Sequence, residues 1–210
     1  MKSLKGLVFS GLVAATFVGS NAYAYGTGIS TFPLEQDKKI ISAEFTGIVS
    51  SGGGVGMQAR YTQKLTDLSS IDAGLGISGG ERSARLFAGY DYELFPDYES
   101  QPRTSIKAFI ENSKEFGSRR NIIGLAPTIS KGFVFWGQEA FPYLSLPYGI
   151  SLDGKDNSYN TTFSANLGIT GIIPKDEIGF DRNITANAEA IFDLKDSYTG
   201  FYIGFGYPIE

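Results

Sequence analysis

The sequence predicts an all-β protein: an antiparallel, up-and-down transmembrane β-barrel of about 8–10 strands that follows a cleaved signal peptide. Three observations predict it: short segments in which apolar and polar residues alternate, clusters of turn residues between them, and a secretory leader at the start of the chain. The segment NITANAEAIF, residues 183–192, has apolar side chains at its even positions and polar side chains at most odd positions. A period of two residues is typical of a strand with one polar and one apolar face.

Residues 1–24 have the features of a secretory signal peptide. Lys2 and Lys5 form a basic start, a mainly apolar run follows, and Ala22-Tyr23-Ala24 fits a cleavage site. The apolar run of about 12 residues is shorter than the ~20 residues that a membrane-spanning helix needs. We therefore divide the chain into a signal peptide (1–24), an N-terminal lead-in without alternation (25–37) and a β-barrel domain (38–210).

Alternating segments of strand length follow the lead-in. Their lengths are close to the roughly 9–11 residues that a tilted membrane-crossing strand needs. Short connections rich in Gly, Ser, Asp and Pro separate most of them, which favours sequential antiparallel hairpins. The candidate strands are residues 39–49, 55–65, 70–78, 84–95, 103–112, 121–135, 139–152, 159–173, 183–192 and 198–207.

The distribution of polar residues indicates which face of the strands is enclosed. The polar faces carry mostly Ser, Thr, Asn, Gln and Gly, and most charged residues fall between the candidate strands, which suits a narrow polar interior. Aromatic residues gather near strand ends, where amphipathic rings favour the level of lipid headgroups. We therefore expect the apolar faces to contact lipid. The expected girdle residues are Tyr90, Tyr92, Phe95, Tyr98, Phe133, Phe135, Trp136, Phe141, Tyr143, Tyr198, Phe201 and Tyr202.

The few charged residues on the polar faces are the candidate site of this protein. They carry both signs and lie on neighbouring or nearby strands, and unpaired buried charge is costly, so we expect them to form ion pairs that close the lumen. The predicted lumen ion-pair residues are Glu44, Arg60, Asp72, Arg85, Lys107, Glu111 and Glu189.

The composition excludes several classes of function. A formal net charge of −4 is unfavourable for binding nucleic acid, and the absence of Cys excludes disulfide bonds and acylation at a lipoprotein Cys. We expect neither a cofactor nor a metal. The glycine pattern at 74–79 precedes a strand rather than the helix of a dinucleotide site, and DGKDN at 153–157 lacks the acidic residues of a calcium loop.

The chain resembles small bacterial outer-membrane β-barrel proteins, the general class that includes OmpA- and OmpX-like proteins and small porins. The last candidate strand, YTGFYIGFGY, carries Gly200, Ile203 and Phe205 in the spacing of the assembly signal of that class, although the chain ends in Tyr207-Pro208-Ile209-Glu210 rather than in an aromatic residue. The resemblance implies the outer membrane of a Gram-negative bacterium as the location. It also implies outer-membrane lipid and the barrel-assembly machinery as partners, and it identifies no subfamily.

The absence of His argues against catalysis, because imidazole is the usual general base near neutral pH. We therefore expect a non-enzymatic barrel with a narrow, ion-paired lumen and a structural or surface-interaction role. Two alternatives stay open: a narrow channel or porin for ions or small solutes, and a soluble exported β-barrel that binds a lipid-like ligand in an apolar cavity.

Overall fold

The computed structural model describes residues 26–50, 53–79, 82–115, 118–135, 137–155 and 158–209. The predicted signal peptide and Trp136 lie outside the described residues. The regular structure consists of β-strands, a 3₁₀ helix at Gly28–Thr31 and a short α-helix, α1, at Lys175–Ile178. The strands are β1 (Lys39–Ile48), β2 (Gly54–Thr66), β3 (Ser69–Ser78), β4 (Arg82–Phe95), β5 (Arg103–Glu115), β6 (Ser118–Ser130), β7 (Phe133–Phe135), β8 (Gln138–Ser145), β9 (Tyr148–Asp153), β10 (Tyr159–Ile173), β11 (Ile184–Lys195) and β12 (Gly200–Ile209).

These strands close into a ten-strand antiparallel barrel, because β12 pairs with both β11 and β1. Strands β8 and β9 act as one barrel strand between β6 and β10, interrupted at Leu146 and Pro147. Strand β7 pairs with β8, and the two form a short hairpin after β6. The predicted up-and-down antiparallel barrel is therefore confirmed, at the upper limit of the predicted strand number.

Side chains alternate between the interior and the outer surface along each strand, because successive residues of a pleated strand point to opposite faces. In β6, buried and exposed residues alternate along nearly the whole strand. The interior side chains are mainly polar, and Arg60 is 1% exposed, whereas outward apolar residues such as Val55 and Ile77 are 74% and 69% exposed. The molecule is thus polar inside and apolar outside, the reverse of a water-soluble barrel.

Several residues expected between strands or in aromatic girdles lie elsewhere in the structure. The charged residues that were expected between strands but lie within them are Arg82, Lys114, Glu115, Arg119, Arg120, Asp153, Asp193 and Lys195. Arg120 and Asp153, expected between strands, lie in β6 and β9 because those strands run longer than the alternation indicated, and both are buried. Tyr143, Tyr198 and Tyr202, expected at the lipid interface, are each at most 4% exposed. Proximity to a strand end did not predict the location of Tyr202. The even-numbered residues of β12 from 200 to 206 point inward, and Tyr202 is one of them.

The N-terminal lead-in folds back into the barrel. Thr27, Ile29 and Thr31 are at most 2% exposed, and the Thr31 hydroxyl lies 2.9 Å from that of Thr170 on β10. Near the end of β2, the Lys64 backbone N–H donates to the Lys38 carbonyl at 3.0 Å. The segment therefore runs from the middle of the lumen to the end of the barrel at which β1 begins.

The two ends of the barrel differ in their connections. We call the end at which β1 begins and β12 finishes the terminal end, and the opposite end the distal end. The connections after β2, β4, β6 and β10 lie at the terminal end, and those after β1, β3, β5, β9 and β11 lie at the distal end. Neither helix formed by the described residues is long and apolar enough to cross a bilayer.

Candidate functional site: a charged network inside the barrel

Arg60 on β2 lies at the centre of the polar interior. Its Nε donates to Glu44 Oε1 at 2.9 Å, and its Nη1 donates to Asp72 Oδ2 at 2.6 Å. The guanidinium carbon is 4.7 Å from the ring centre of Phe87 and 5.9 Å from that of Tyr202. A buried guanidinium is tolerated only when charges and hydrogen bonds compensate it, and neighbouring strands supply both here.

The backbone of the N-terminal segment completes the coordination of the two central cations. Lys107 on β5 contacts the carboxylate of Asp72 and donates to the Thr27 carbonyl at 3.2 Å. Arg60 donates to the Gly26 carbonyl at 3.2 Å and approaches that of Thr27 at 3.5 Å. Backbone carbonyls of the lead-in thus accept hydrogen bonds that would otherwise go to lumen water.

Gly28 lets the segment pass this close to Arg60. Its φ is +70°, in the left-handed region that favours glycine, and a Cβ at this position would lie 2.6 Å from the guanidinium carbon. A side chain at residue 28 would therefore strain the backbone and displace the central cation.

Glu189 on β11 holds the segment from the opposite wall. Its carboxylate accepts the backbone N–H of Thr27 at 3.0 Å, the hydroxyl of Tyr143 at 2.5 Å and Nδ2 of Asn166 at 2.7 Å. Tyr143 fits inside the barrel because a Cβ on Gly168, the facing residue of β10, would lie 2.3 Å from the tyrosine ring. Thr27 therefore bridges the walls, with its N–H on Glu189 and its carbonyl on the cations.

Gln58 connects the central group to a second ion pair nearer the distal end. Its Nε2 donates to the Glu44 carboxylate, and its Oε1 accepts Nη1 of Arg85 at 3.0 Å. Arg85 in turn donates through Nη2 to Glu111 Oε2 at 2.9 Å. One amide side chain thus joins two ion-paired groups.

Three further ion pairs, formed by two arginines, lie toward the ends of the lumen. Near the terminal end, Arg103 contacts Asp91 at 2.8 Å and Glu93 at 2.6 Å. Near the distal end, Arg120 contacts Asp153 at 3.1 Å. Paired charges therefore occur at several levels along the barrel axis rather than at one constriction.

The structure places every predicted lumen residue on the inner face and brings them into one connected network. Alternation did not identify two of its parts, Gln58 and the N-terminal backbone, and it also left Arg103, Arg120 and Asp153 out of the predicted set. The inward parity of Gln58, two residues before Arg60, was a usable signal. The predicted residues joined in the network are Glu44, Arg60, Asp72, Arg85, Lys107, Glu111 and Glu189.

The network is buried within the barrel, and its members are joined by ion pairs and hydrogen bonds. Arg60, Glu44 and Lys107 are each at most 1% exposed. Within the described ranges, no cluster of His, Cys, Asp or Glu residues is placed to hold a metal ion. The arrangement can hold the walls and the N-terminal segment together by charge-assisted hydrogen bonds.

No protein-family model matches the sequence, and no curated protein matches it at a significant level. Among solved structures, a similar chain comes from a structure titled "De novo design of transmembrane beta-barrels". The two chains are 11% identical with a TM-score of 0.41, and the similarity covers 85% of this chain and 100% of that chain.

Proposed function

We propose that this protein is a bacterial outer-membrane β-barrel with a closed, ion-paired lumen and a structural or surface-interaction role in the envelope. The apolar outer surface supports a lipid environment, because large side chains such as Val55, Ile77 and Ile123 are more than 60% exposed. The secretory leader supports export, and the resemblance to small outer-membrane barrels supports the location.

The observation that carries the closed lumen is the position of Thr27. Its backbone contacts Glu189 on one wall and Arg60 and Lys107 on the other, so peptide backbone crosses the lumen at the level of the central ion pairs. A barrel of eight strands is filled by its own side chains. Ten strands enclose more space, and here the N-terminal segment occupies it.

Planar-bilayer recording tests the closed lumen against the narrow-channel alternative. We expect the purified, refolded protein to give no stepwise openings at moderate voltage, whereas a general diffusion porin recorded in parallel does. Long-lived, ion-selective openings of the wild-type protein would contradict the closed lumen and establish the channel.

Detergent dependence tests the membrane location against the soluble ligand-binding alternative. A soluble carrier of a lipid-like ligand needs an apolar interior, whereas the described interior is lined by charged and hydroxyl side chains. We expect the protein to fractionate with outer membranes, to need detergent and to show heat-modifiable mobility on gels. A monomer that stays soluble without detergent would contradict the proposal.

We further propose that the protein is not an enzyme. The acids described on the inner face are engaged in ion pairs or hydrogen bonds, and the chain has no His to act as a base. We expect the folded protein not to hydrolyse phospholipid, lipid A acyl chains or peptide. A hydrolytic activity that Glu44→Gln or Glu189→Gln abolishes without unfolding the barrel would contradict this.

A further inference from the structure

The outer surface of the barrel has a groove over β3 to β6, β9 and β10 that its strands do not fill. Small outward residues, Ala73 and Ala88, form its floor, because these two alanines face each other across β3 and β4. Larger residues such as Leu86, Ile123 and Leu152 form its walls and enclose a cavity of about 520 Å³.

A second cavity of about 620 Å³ continues this groove. It shares Ala88 and Ile150 with the first and adds Ala108, which faces Leu125 across β5 and β6. Together they form a continuous apolar depression, which we call the exterior groove. Its apolar lining and extended shape suit an acyl chain.

Polar side chains on the outward faces of β5 and β6 end the groove on its distal side. Asn112 and Asn121 face each other and line it, and Nδ2 of Asn112 donates to Oδ1 of Asn121 at 2.6 Å. One step further toward the distal end, Lys114 faces Arg119 directly across the same pair of strands. Both of these cations are exposed on the outside of the barrel.

Within the described part of the chain, no carboxylate compensates the Lys114–Arg119 pair. Like charges directly opposite each other on neighbouring strands are destabilising. Among the described residues, neither cation forms an ion pair, and Arg119 donates only to the Asn112 side-chain oxygen at 3.2 Å. In the interior, by contrast, cations are paired with carboxylates. Arg60, for example, contacts two of them. An external anion between Lys114 and Arg119 would remove the repulsion.

We infer that the exterior groove binds an anionic phospholipid, with the phosphate between Lys114 and Arg119 and an acyl chain along the floor of Ala73, Ala88 and Ala108. A phosphate offers several acceptor oxygens to the guanidinium, the ammonium and the amide of Asn121. This inference rests on the proposed membrane location and adds a specific lipid site to it.

Native mass spectrometry of the protein in detergent, titrated with phosphatidylglycerol, tests the site. We expect one tightly bound phosphatidylglycerol, and weaker binding of diacylglycerol, which lacks the phosphate. The double variant Lys114→Gln/Arg119→Gln should weaken binding roughly tenfold or more, because it removes both charged donors to the phosphate. The matched control, Lys175→Gln/Lys195→Gln, removes two exposed cations that do not border the groove and should leave binding unchanged.

Ala88→Leu and Ala108→Leu fill the floor of the groove and test the acyl chain separately. We expect them to weaken phosphatidylglycerol binding with unchanged heat-modifiable mobility. Inorganic phosphate should compete poorly with phosphatidylglycerol for the site.

Equal binding of phosphatidylglycerol by the wild type and the Lys114/Arg119 variant would overturn the inference, and so would equal binding of diacylglycerol. Competition by inorganic phosphate at similar concentration, with no effect of the alanine variants, would show a free-phosphate site instead. Failure of the membrane proposal would be distinguishable, because the protein would then stay soluble without detergent and the lipid site would fall with it.

Discussion

Arg60 is a residue that connects several parts of the interior. Its guanidinium contacts two carboxylates, two backbone carbonyls of the N-terminal segment and the face of the Phe87 ring. Its two carboxylates differ in what else they contact. Asp72 forms a second ion pair with Lys107. Glu44, among the described residues, forms an ion pair with Arg60 alone.

Arg60→Met should therefore destabilise the barrel mainly through Glu44. Removing one member of a buried ion pair leaves an uncompensated charge and costs about 3–5 kcal/mol. Urea unfolding in lipid vesicles, followed by tryptophan fluorescence or gel mobility, measures the loss.

Adding Glu44→Gln to Arg60→Met should recover part of that loss, because the double variant removes the uncompensated charge. Lys195→Met, an exposed substitution, is the control and should change the free energy of unfolding little. Strict additivity of the Arg60 and Glu44 effects would show that the two side chains are not coupled, and the network would then contribute no specific stability.

At the scale of residues, parity predicted the inward charges well and the remaining interior poorly. A charged side chain is unfavourable on a lipid-facing surface, so the inward orientation of Glu44 and Asp72 could be predicted from the sequence. Gln58 is uncharged, so the criterion of inward charge did not include it. Tyr143 required knowledge that Gly168 lies opposite it, and that pairing is a property of the folded sheet.

Among the elements, the N-terminal segment was the least predictable. Residues 25–37 do not alternate, and Glu189 and Arg60, which contact Thr27, lie more than 30 residues away along the chain. Local propensity contains no information about such contacts. The sequence therefore predicted a lead-in at these positions and could not predict that it enters the lumen.

Thr27→Pro tests the anchoring of this element. The φ of Thr27 is −62°, which proline adopts without strain, so the substitution mainly removes the N–H that Glu189 accepts. We expect a loss of about 1–3 kcal/mol in the free energy of unfolding, the cost of leaving a buried acceptor short of a donor. Thr27→Val keeps the N–H and is the matched control. An equal effect of both variants would contradict the role of the backbone donor.

A clasp at the terminal end joins two connections of the barrel. Lys131, after β6, contacts the Asp97 carboxylate and donates to the Glu99 carbonyl at 2.5 Å, and the Gly132 N–H donates to Asp97 at 2.6 Å. Partial burial acts to raise the pKa of Asp97, but the hydrogen bonds from Lys131 and Gly132 outweigh it and hold that pKa below its ordinary value.

The lowered pKa of Asp97 gives the clasp a defined pH dependence. A carboxyl group whose folded pKa is depressed contributes stability above its unfolded pKa and loses it as the pH falls through the folded value. The stability difference between the wild type and Asp97→Asn should therefore be largest near neutral pH and should disappear in acid, below the ordinary carboxyl pKa of about 3.9. Urea unfolding over a pH series measures it. A difference that grows as the pH falls would contradict this assignment.

For the whole molecule, the period-two pattern was enough to predict the barrel. Each of the ten predicted segments overlaps a barrel strand, and the predicted segment 139–152 overlaps both β8 and β9. Pro147 marked the predicted segment 139–152 as irregular, but a break into two strands was not predicted, because the chain continues in the same direction on either side of it. Closure by β1 and β12 is likewise a long-range pairing that no local pattern indicates.

Ala188→Arg tests the outer surface thermodynamically. Ala188 on β11 is exposed between Ile169 and Ile203 of the neighbouring strands, both outward-facing. An arginine near the bilayer midplane should cost about 2–4 kcal/mol in the free energy of unfolding from vesicles. Glu177→Arg in α1, outside the barrel wall, should cost much less. Normal stability of Ala188→Arg in vesicles would contradict a lipid-facing position.

Fluorescence quenching from a single cysteine tests most directly whether the apolar outer surface contacts lipid. The chain has no Cys, so Ala188→Cys and Ser158→Cys each accept one label at a known site, on the outer wall and in a distal connection respectively. In vesicles we expect brominated lipid chains to quench the label at residue 188 and aqueous iodide to quench the label at residue 158. Quenching of the label at residue 188 by iodide and not by brominated lipid would show that this face is in water, and a membrane-embedded barrel would then be wrong.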